Sequence, residues 1–378
     1  MVSVLVVDDS VVVRRLIVDA LGGAPDIAVL GTAANGLLAQ AKVDQLKPDV
    51  VTMDIEMPQM DGITAVKELR KRHPHLPVIM FSTLSAAGAA ATLEALVAGA
   101  SDYVTKPSGA GSIAESIAAV REQLVPKIRN LARRPRTAAL PAPAVPLPPV
   151  PAGHRAGGGA AQPAAAPARP SVPSRPGGHG RIDLIAIGSS TGGPDALARV
   201  LTALPTDIAV PIAVTQHMPP VFTRMFADRL NRSTPLRVVE AADGMEVSAG
   251  TVYIAPGDKH LVLLRRGTAV VTQLSSAPPE NSCRPAVDVM FRSVAAVYGS
   301  AVCAAVLTGM GQDGRTGAKV LRDAGAEVVA QDEATSVVWG MPGAVVAAGL
   351  ASEVLALDRI APALVSRVKV GRSAVVAR

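Results

Sequence analysis

Residues 127–181 force any folded solution for this chain into two separate parts. The stretch holds 12 of the chain's 31 prolines, nine basic residues (Lys127, Arg129, Arg133, Arg134, Arg136, Arg155, Arg169, Arg175 and Arg181) and no acidic one. Runs of Ala and Gly fill much of the remainder. Such a composition cannot bury enough apolar surface to offset chain entropy, and its prolines favour extended, partly polyproline conformations. A disordered linker over residues 126–181 is therefore expected, between one domain over 1–125 and another over 182–372. In a chain of 378 residues both flanking parts are long enough to bury a core of their own.

The same segment explains the charge. The formal balance is +6, and removing the nine linker cations leaves −3 for the rest, so the basic character belongs to one stretch. Two readings of that stretch stay open: an electrostatic tether to an acidic partner or membrane surface, and a solvated spacer. Aromatic residues are only 2% of the chain, too few for the stacking platforms of a single-strand nucleic-acid binder. Apolar residues at 49% exclude a wholly disordered chain. Two cysteines exclude a disulfide scaffold and fit a reducing compartment. No apolar run reaches the roughly 18 residues that a membrane-spanning helix needs. The first apolar run stops at Asp8 and Asp9, unlike a signal peptide. The expectation is a soluble cytoplasmic protein with no nucleic-acid partner and no membrane insertion.

In the first segment, Val4, Leu5, Val6 and Val7 make a fully apolar run ending in Asp8, Asp9 and Ser10. It reads as a buried parallel strand. A helix is expected over residues 11–21, with Arg14 and Arg15 on its polar face. Three more strands are expected, over 49–53 ending in Asp54, over 77–81 ending in Ser82 and Thr83, and over 101–105 ending in Lys106 and Pro107. Helical stretches between them imply a doubly wound parallel sheet, in which ligands bind at the carboxyl ends of the strands. Three carboxylates converging on that edge call for a hard cation, and Mg²⁺ suits oxygen ligands beside phosphate. Asp54 can then attack a phosphoryl group, with Lys106 and the Ser82 hydroxyl holding the phosphate oxygens. Taken singly, these residues have plainer readings. An Asp pair before a helix can be an N-cap, and a Lys before Pro an ordinary turn residue.

The order of these four motifs resembles the response-regulator receiver domain, a flavodoxin-type fold, across essentially all of 1–125. The resemblance implies that Asp54 is the phospho-acceptor and that Asp8, Asp9, Asp54 and the backbone carbonyl of Glu56 hold Mg²⁺. It also makes Ser82 the switch hydroxyl alongside Lys106, with Thr83 the choice if the alignment slips by one.

In the second segment, residues 182–187 read as a strand running into Gly188, Ser189, Ser190, Thr191, Gly192, Gly193 and Pro194, with a helix following over 195–204. Residues 188–192 fit G-x-S-x-G, the serine of a strand–turn–helix elbow. A phosphate cradle is the competing reading, although neither G-x-G-x-x-G nor Gly-Lys-Ser/Thr is present. The histidines favour the hydrolase. Of six, His73 and His75 fall in the first segment, His154 and His179 in or beside the linker, and His260 follows a turn. His217 ends the apolar run 210–215 and so stands at a strand's carboxyl end, on the serine's edge. A third strand over 300–307 ends in a Gly-rich loop carrying Asp313, which either orients the imidazole or is a common turn aspartate. Cys303 reads as core. Cys283, in a loop with no histidine adjacent in sequence, is a weak thiol candidate. The loop 276–284 is Pro-rich and carries no assignment, and no spacing suits zinc.

The segments 188–193, 216–219, 307–314, 331–334 and 339–342 together resemble the catalytic domain of the chemotaxis protein-glutamate methylesterases, over about 182–350. Receiver, linker and catalytic domain in that order is the family's whole architecture. The resemblance implies a Rossmann-like three-layer domain with Ser190 as nucleophile, His217 as base, Asp313 as orienting acid, and the Met310 N–H, with Thr191, as oxyanion donors. It implies a hydrolase that removes methyl esters from receptor glutamates, releasing methanol, and deamidates receptor glutamines. Methyl-accepting chemoreceptors would be the substrate and a chemotaxis histidine kinase the phosphodonor, with Mg²⁺ the only cofactor and none for the ester chemistry. By the same reading the unphosphorylated receiver covers the Ser190 edge, and phosphate on Asp54 shifts that packing. By that resemblance the linker looks longer than the family's usual connector. The rival is a receiver fused to a non-catalytic output domain that binds a nucleotide or nucleic acid.

Overall fold

The computed structural model describes residues 1–107, 112–132 and 180–370. The expected disordered linker lies almost wholly outside them. The N-terminal part runs β1 (Val2–Val7), α1 (Val11–Gly22), β2 (Ile27–Ala33), α2 (Gly36–Leu46), β3 (Val50–Asp54), α3 (Gly62–Arg72), β4 (Val78–Ser82), α4 (Ala86–Val97), β5 (Asp102–Thr105) and α5 (Ile113–Ala132). Its five strands are parallel in the order β2-β1-β3-β4-β5. Short polar side chains start the helices. Ser10, Asn35, Asp61 and Ser85 each accept an N–H from the first turn of α1, α2, α3 and α4.

Two expectations need correction here. The sheet has a fifth strand, β2, beyond the four expected. It is an edge strand of mostly half-buried positions, and its first four residues, 27–30, are an apolar run that ends at Gly31. The first domain also continues past 125. Ile128 and Leu131 are buried in its core, and Lys127 and Arg129, counted as linker cations, pair from α5 with Asp102 and Asp26.

The C-terminal part runs β6 (Leu184–Ser189), α6 (Gly193–Thr202), β7 (Ile212–Gln216), α7 (Phe222–Ser233), β8 (Arg237–Glu240), β9 (Thr251–Ile254), β10 (His260–Arg266), β11 (Ala269–Ser275), α8 (Val287–Tyr298), β12 (Val302–Val306), α9 (Arg315–Asp323), β13 (Glu327–Gln331), α10 (Met341–Ala347), β14 (Glu353–Leu355) and α11 (Leu357–Val370). Seven parallel strands lie in the order β14-β13-β12-β6-β7-β9-β8. An antiparallel hairpin, β10–β11, is added to the expected parallel architecture. Alternate side chains of β6 feed the two faces: Ile185 and Ile187 join one apolar cluster, Leu184 and Ala186 the other. The chain leaves β6 for β7 on one side and returns through β12 on the other. The strand order thus reverses at β6, and the crevice above such a reversal is where open α/β sheets bind ligands.

The two parts pack together. Leu93, Leu96 and Tyr103 belong to the same apolar cluster as Leu197, Phe222 and Phe226. The Tyr103 and Phe222 rings stack at 4.9 Å between centroids and 7° between planes.

Candidate active site and phospho-acceptor site

On the rim of the first sheet, Asp8, Asp9 and Asp54 each bring a carboxylate oxygen within 4.8 Å of the others. Lys106 Nζ lies 2.8 Å from Asp54 Oδ1 and 3.3 Å from Asp8 Oδ2. Asp8 Oδ1 accepts the Ser10 N–H, which fixes the turn into α1, while Asp8 Oδ2 is buried without a hydrogen bond. Lys106 offsets that oxygen's charge only at ion-pair range. An acidic cluster with one unsatisfied buried oxygen fits a hard divalent cation. Burial, with Asp8 adding to it against the pull of Lys106, pushes the Asp54 carboxyl up to about 6. Burial works against the Lys106 charge, but Asp54 and Asp8 outweigh it and raise the lysine. Glu56 follows β3 on the same rim and is exposed. The Ser82 hydroxyl is buried against α4, 2.6 Å from Thr92 Oγ1 and 3.2 Å from the Gly88 carbonyl. Thr83, the other switch candidate, bonds Ser85 at the mouth of α4.

On the second sheet, three neighbouring strands deliver the expected trio. Ser190 follows β6, His217 follows β7, and Asp313 lies in the loop after β12. The strand ends are level, with Val306 opposite Gly188 and Ser189 opposite Gln216. Glycines let the loops close on the serine. A Cβ on Gly309 would sit 2.9 Å from Ser190 Cβ, and one on Gly193 would sit 2.0 Å from Gln216 Oε1. Gln216 ties the elbow down, donating to the Ser190 carbonyl at 3.0 Å and accepting from Ser189 Oγ at 2.7 Å.

His217 Nε2 lies 2.8 Å from Asp313 Oδ2. The same oxygen accepts the Val287 N–H at 2.6 Å, and Oδ1 accepts from Asp288 N, Gly314 N and Asn281 Nδ2. Burial alone would raise Asp313. The His217 ring and these N–H donors outweigh it and hold the carboxyl below its ordinary range. Burial alone would lower His217, but Asp313 and Cys283 bring it up to about 9. Nε2 is taken by Asp313, so Nδ1 is the nitrogen left to receive a proton. In this arrangement Nδ1 faces Cys283 Sγ at 3.5 Å, and among the described residues it shares no hydrogen bond with Ser190. Cys283, without a histidine near it in sequence, therefore has one in space. Cys303 is buried, and burial pushes its thiol up to about 12, as an inert core residue requires. His260 is a satisfied structural histidine, its ring bonded to the Pro278 carbonyl and the Ala286 N–H.

Ser190 and His217 line one cleft with Thr191, and the receiver lines it too, through Leu96, Asp102, Tyr103 and Lys127. The cleft measures about 30 Å³, room for about one water and too little for an esterified side chain. Of the expected oxyanion donors, Thr191 has its hydroxyl on Asp102 Oδ2 at 2.6 Å. The Met310 N–H has no hydrogen-bond partner among the described residues, and the Met310 side chain packs against a cluster holding Val338 and Val120, Leu124 and Ile128 of α5. Sequence reasoning missed Asp102, Lys127, Asn281 and Asp288. Each reaches its partner across the fold, and none stands in a motif.

Comparison with known proteins gives two family matches. Residues 185–364 match the CheB methylesterase model and residues 4–118 the response regulator receiver domain. A protein of Nocardioides sp. named protein-glutamate methylesterase/protein-glutamine glutaminase is 53% identical over 366 residues, covering 97% of this chain and 95% of that protein. A protein of the same name from Trichodesmium erythraeum is 43% identical over 368 residues, covering 97% and 98%. Among the described residues no helix is long and apolar enough to cross a membrane.

Proposed function

Because the chain belongs to the CheB methylesterase family, with a response regulator receiver domain at its N-terminal end, we propose that it is a phosphorylation-gated serine hydrolase of methylated chemoreceptors, acting in the cytoplasm. The observation that carries this reading is the His217–Asp313 contact at 2.8 Å beside a cleft that Ser190 also lines. The reading requires that Ser190 Oγ reach His217 Nδ1, which in the covered arrangement faces Cys283 Sγ. The imidazole takes the hydroxyl proton as Oγ adds to the side-chain carbonyl of a methylated glutamate. The Met310 N–H, with Thr191 once its hydroxyl is released, receives the oxyanion. His217 returns the proton to the leaving methoxide, methanol departs, and water hydrolyses the glutamyl ester by the same steps in reverse. A receptor glutamine loses ammonia in place of methanol.

For the receiver, Asp54 is the phospho-acceptor and a chemotaxis histidine kinase the donor. Asp8, Asp9, Asp54 and the Glu56 carbonyl would hold Mg²⁺, which supplies positive charge against the incoming phosphoryl oxygens. Lys106 holds one of those oxygens, and Ser82 turns from Thr92 and Gly88 to hold another. That turn loosens α4, which packs on α6 and α7. In the covered arrangement the receiver leaves no room for substrate, so release of this packing is the gate. A non-catalytic output domain finds no support in the family matches. The test is methanol release from methylated receptor with and without a phosphodonor, in wild type and in Asp54→Ala. Stimulation confined to wild type is expected, and equal stimulation of both removes the receiver from the mechanism.

A further inference from the structure

We infer that Asn281 is a positioning residue for this hydrolase, holding the Asp313 carboxylate in the orientation that aims the His217 ring. The inference rests on the reading of Ser190, His217 and Asp313 given above, and it assigns a role to the loop that sequence left blank.

Asn281 Nδ2 lies 3.1 Å from Asp313 Oδ1 and 3.0 Å from Asp288 Oδ2. Both acceptors are carboxylate oxygens, so the amide must present its nitrogen and not its oxygen to them. Each of its two hydrogens then serves one carboxylate. Among the described residues no Lys or Arg forms an ion pair with Asp288 or Asp313, so a neutral amide is what bridges the two charges. Asp288 is otherwise held by the Gly317 N–H at 2.6 Å. Two carboxylates this close repel unless a shared donor separates them.

The loop reaches the base as well as the acid, since Cys283 Sγ meets His217 Nδ1 two residues further on. It is braced for this. Glu280 and Cys283 exchange both backbone hydrogen bonds at 3.1 and 2.8 Å, Glu280 pairs with Arg292, and Arg284 pairs with Asp258. Asn281 sits at φ 51°, a left-handed conformation that Asn tolerates better than most residues. Without the amide, Asp313 keeps its backbone donors and the fold survives. The carboxylate then loses the one side-chain donor that sets its distance from Asp288, and the ring it orients loses alignment with Ser190.

The test uses the full chain with phosphodonor and methylated receptor. Asn281→Gly removes the amide without straining the backbone at φ 51°, and Asn281→Asp keeps the shape but replaces the donor with a third carboxyl group. Both are expected to lower kcat by about 10–100-fold with KM within about twofold, the signature of lost alignment in the transition state. Wild-type kcat in both variants overturns the inference, and so does a raised KM at unchanged kcat, which makes the loop a receptor contact. Ser190→Ala is assayed alongside. Should it retain wild-type turnover, the hydrolase reading itself fails. Should it be inert while both Asn281 variants keep full kcat, only the role of Asn281 fails.

Discussion

Thr191 donates its hydroxyl hydrogen to Asp102 Oδ2 at 2.6 Å, so the residue beside the proposed nucleophile is tied to the last strand of the receiver. Asp102 also pairs with Lys127 Nζ at 2.8 Å, and that ammonium lies 5.4 Å from the centre of the Tyr103 ring. The receiver therefore holds the elbow as well as covering it. One charge-assisted bond occupies Thr191, and one aromatic stack anchors the cover.

Tyr103→Ala removes the stack with Phe222, worth about 1 kcal/mol beyond the buried area, and leaves Asp102 and Lys127 paired. Unphosphorylated chain carrying it should demethylate receptor about tenfold faster than wild type, with little change once phosphodonor is added. Initial rates of methanol release measure both states. An unchanged unphosphorylated rate would mean that the Tyr103 stack does not hold the cover in place.

The His217 shift sets a pH dependence. Its folded value near 9 lies above the ordinary 6.5, through Asp313 and Cys283 acting against burial. Such a group adds stability that is fully present below pH 6.5 and is lost as pH rises through about 9. Comparison of wild type with His217→Gln by urea unfolding should show a difference on the order of 3 kcal/mol near pH 6, shrinking towards pH 10. A difference that is flat across this range contradicts the pairing. By the same shift the ring is protonated at neutral pH in the covered arrangement, so residual unphosphorylated activity should climb between pH 7 and 9.

Val221 holds φ 71° and ψ −50° at the entrance to α7, four residues after His217, and the residue is 40% exposed. A β-branched residue in this region is strained. Val221→Gly relieves the strain at the cost of a more flexible unfolded chain, for a net gain of about 1 kcal/mol. Thermal unfolding checks it, and a lower midpoint would show that packing of the valine side chain outweighs the strain.

Sequence was informative where a residue's role is set by its own neighbours. Val4 to Val7 read as a buried strand and form most of β1, with Asp8 directly after it. The strand–turn–helix at Ser190 and the strand-end place of His217 follow from local pattern, while the choice of elbow over phosphate cradle needed the histidine as well. β2 carries the same kind of signal, an apolar run over residues 27–30 ended by Gly31, and was legible as a fifth strand. The receiver runs past residue 125, although Lys127, Arg129 and the prolines that follow read as linker. The helix continues because Leu124, Ile128 and Leu131 keep helical spacing and bury against the core. Asn281 and Cys283 were beyond reach. Their partners lie 32 and 66 residues away, and only the folded sheet brings them together.

Ser190, and not the thiol beside His217, is the proposed nucleophile toward the ester. Methanol release from methylated receptor, in the presence of phosphodonor, decides it when Ser190→Ala and Cys283→Ala are compared with wild type. Loss of turnover by about three orders of magnitude or more in Ser190→Ala, with Cys283→Ala still turning over, is the expected result. Near wild-type release by Ser190→Ala, or loss confined to Cys283→Ala, contradicts it.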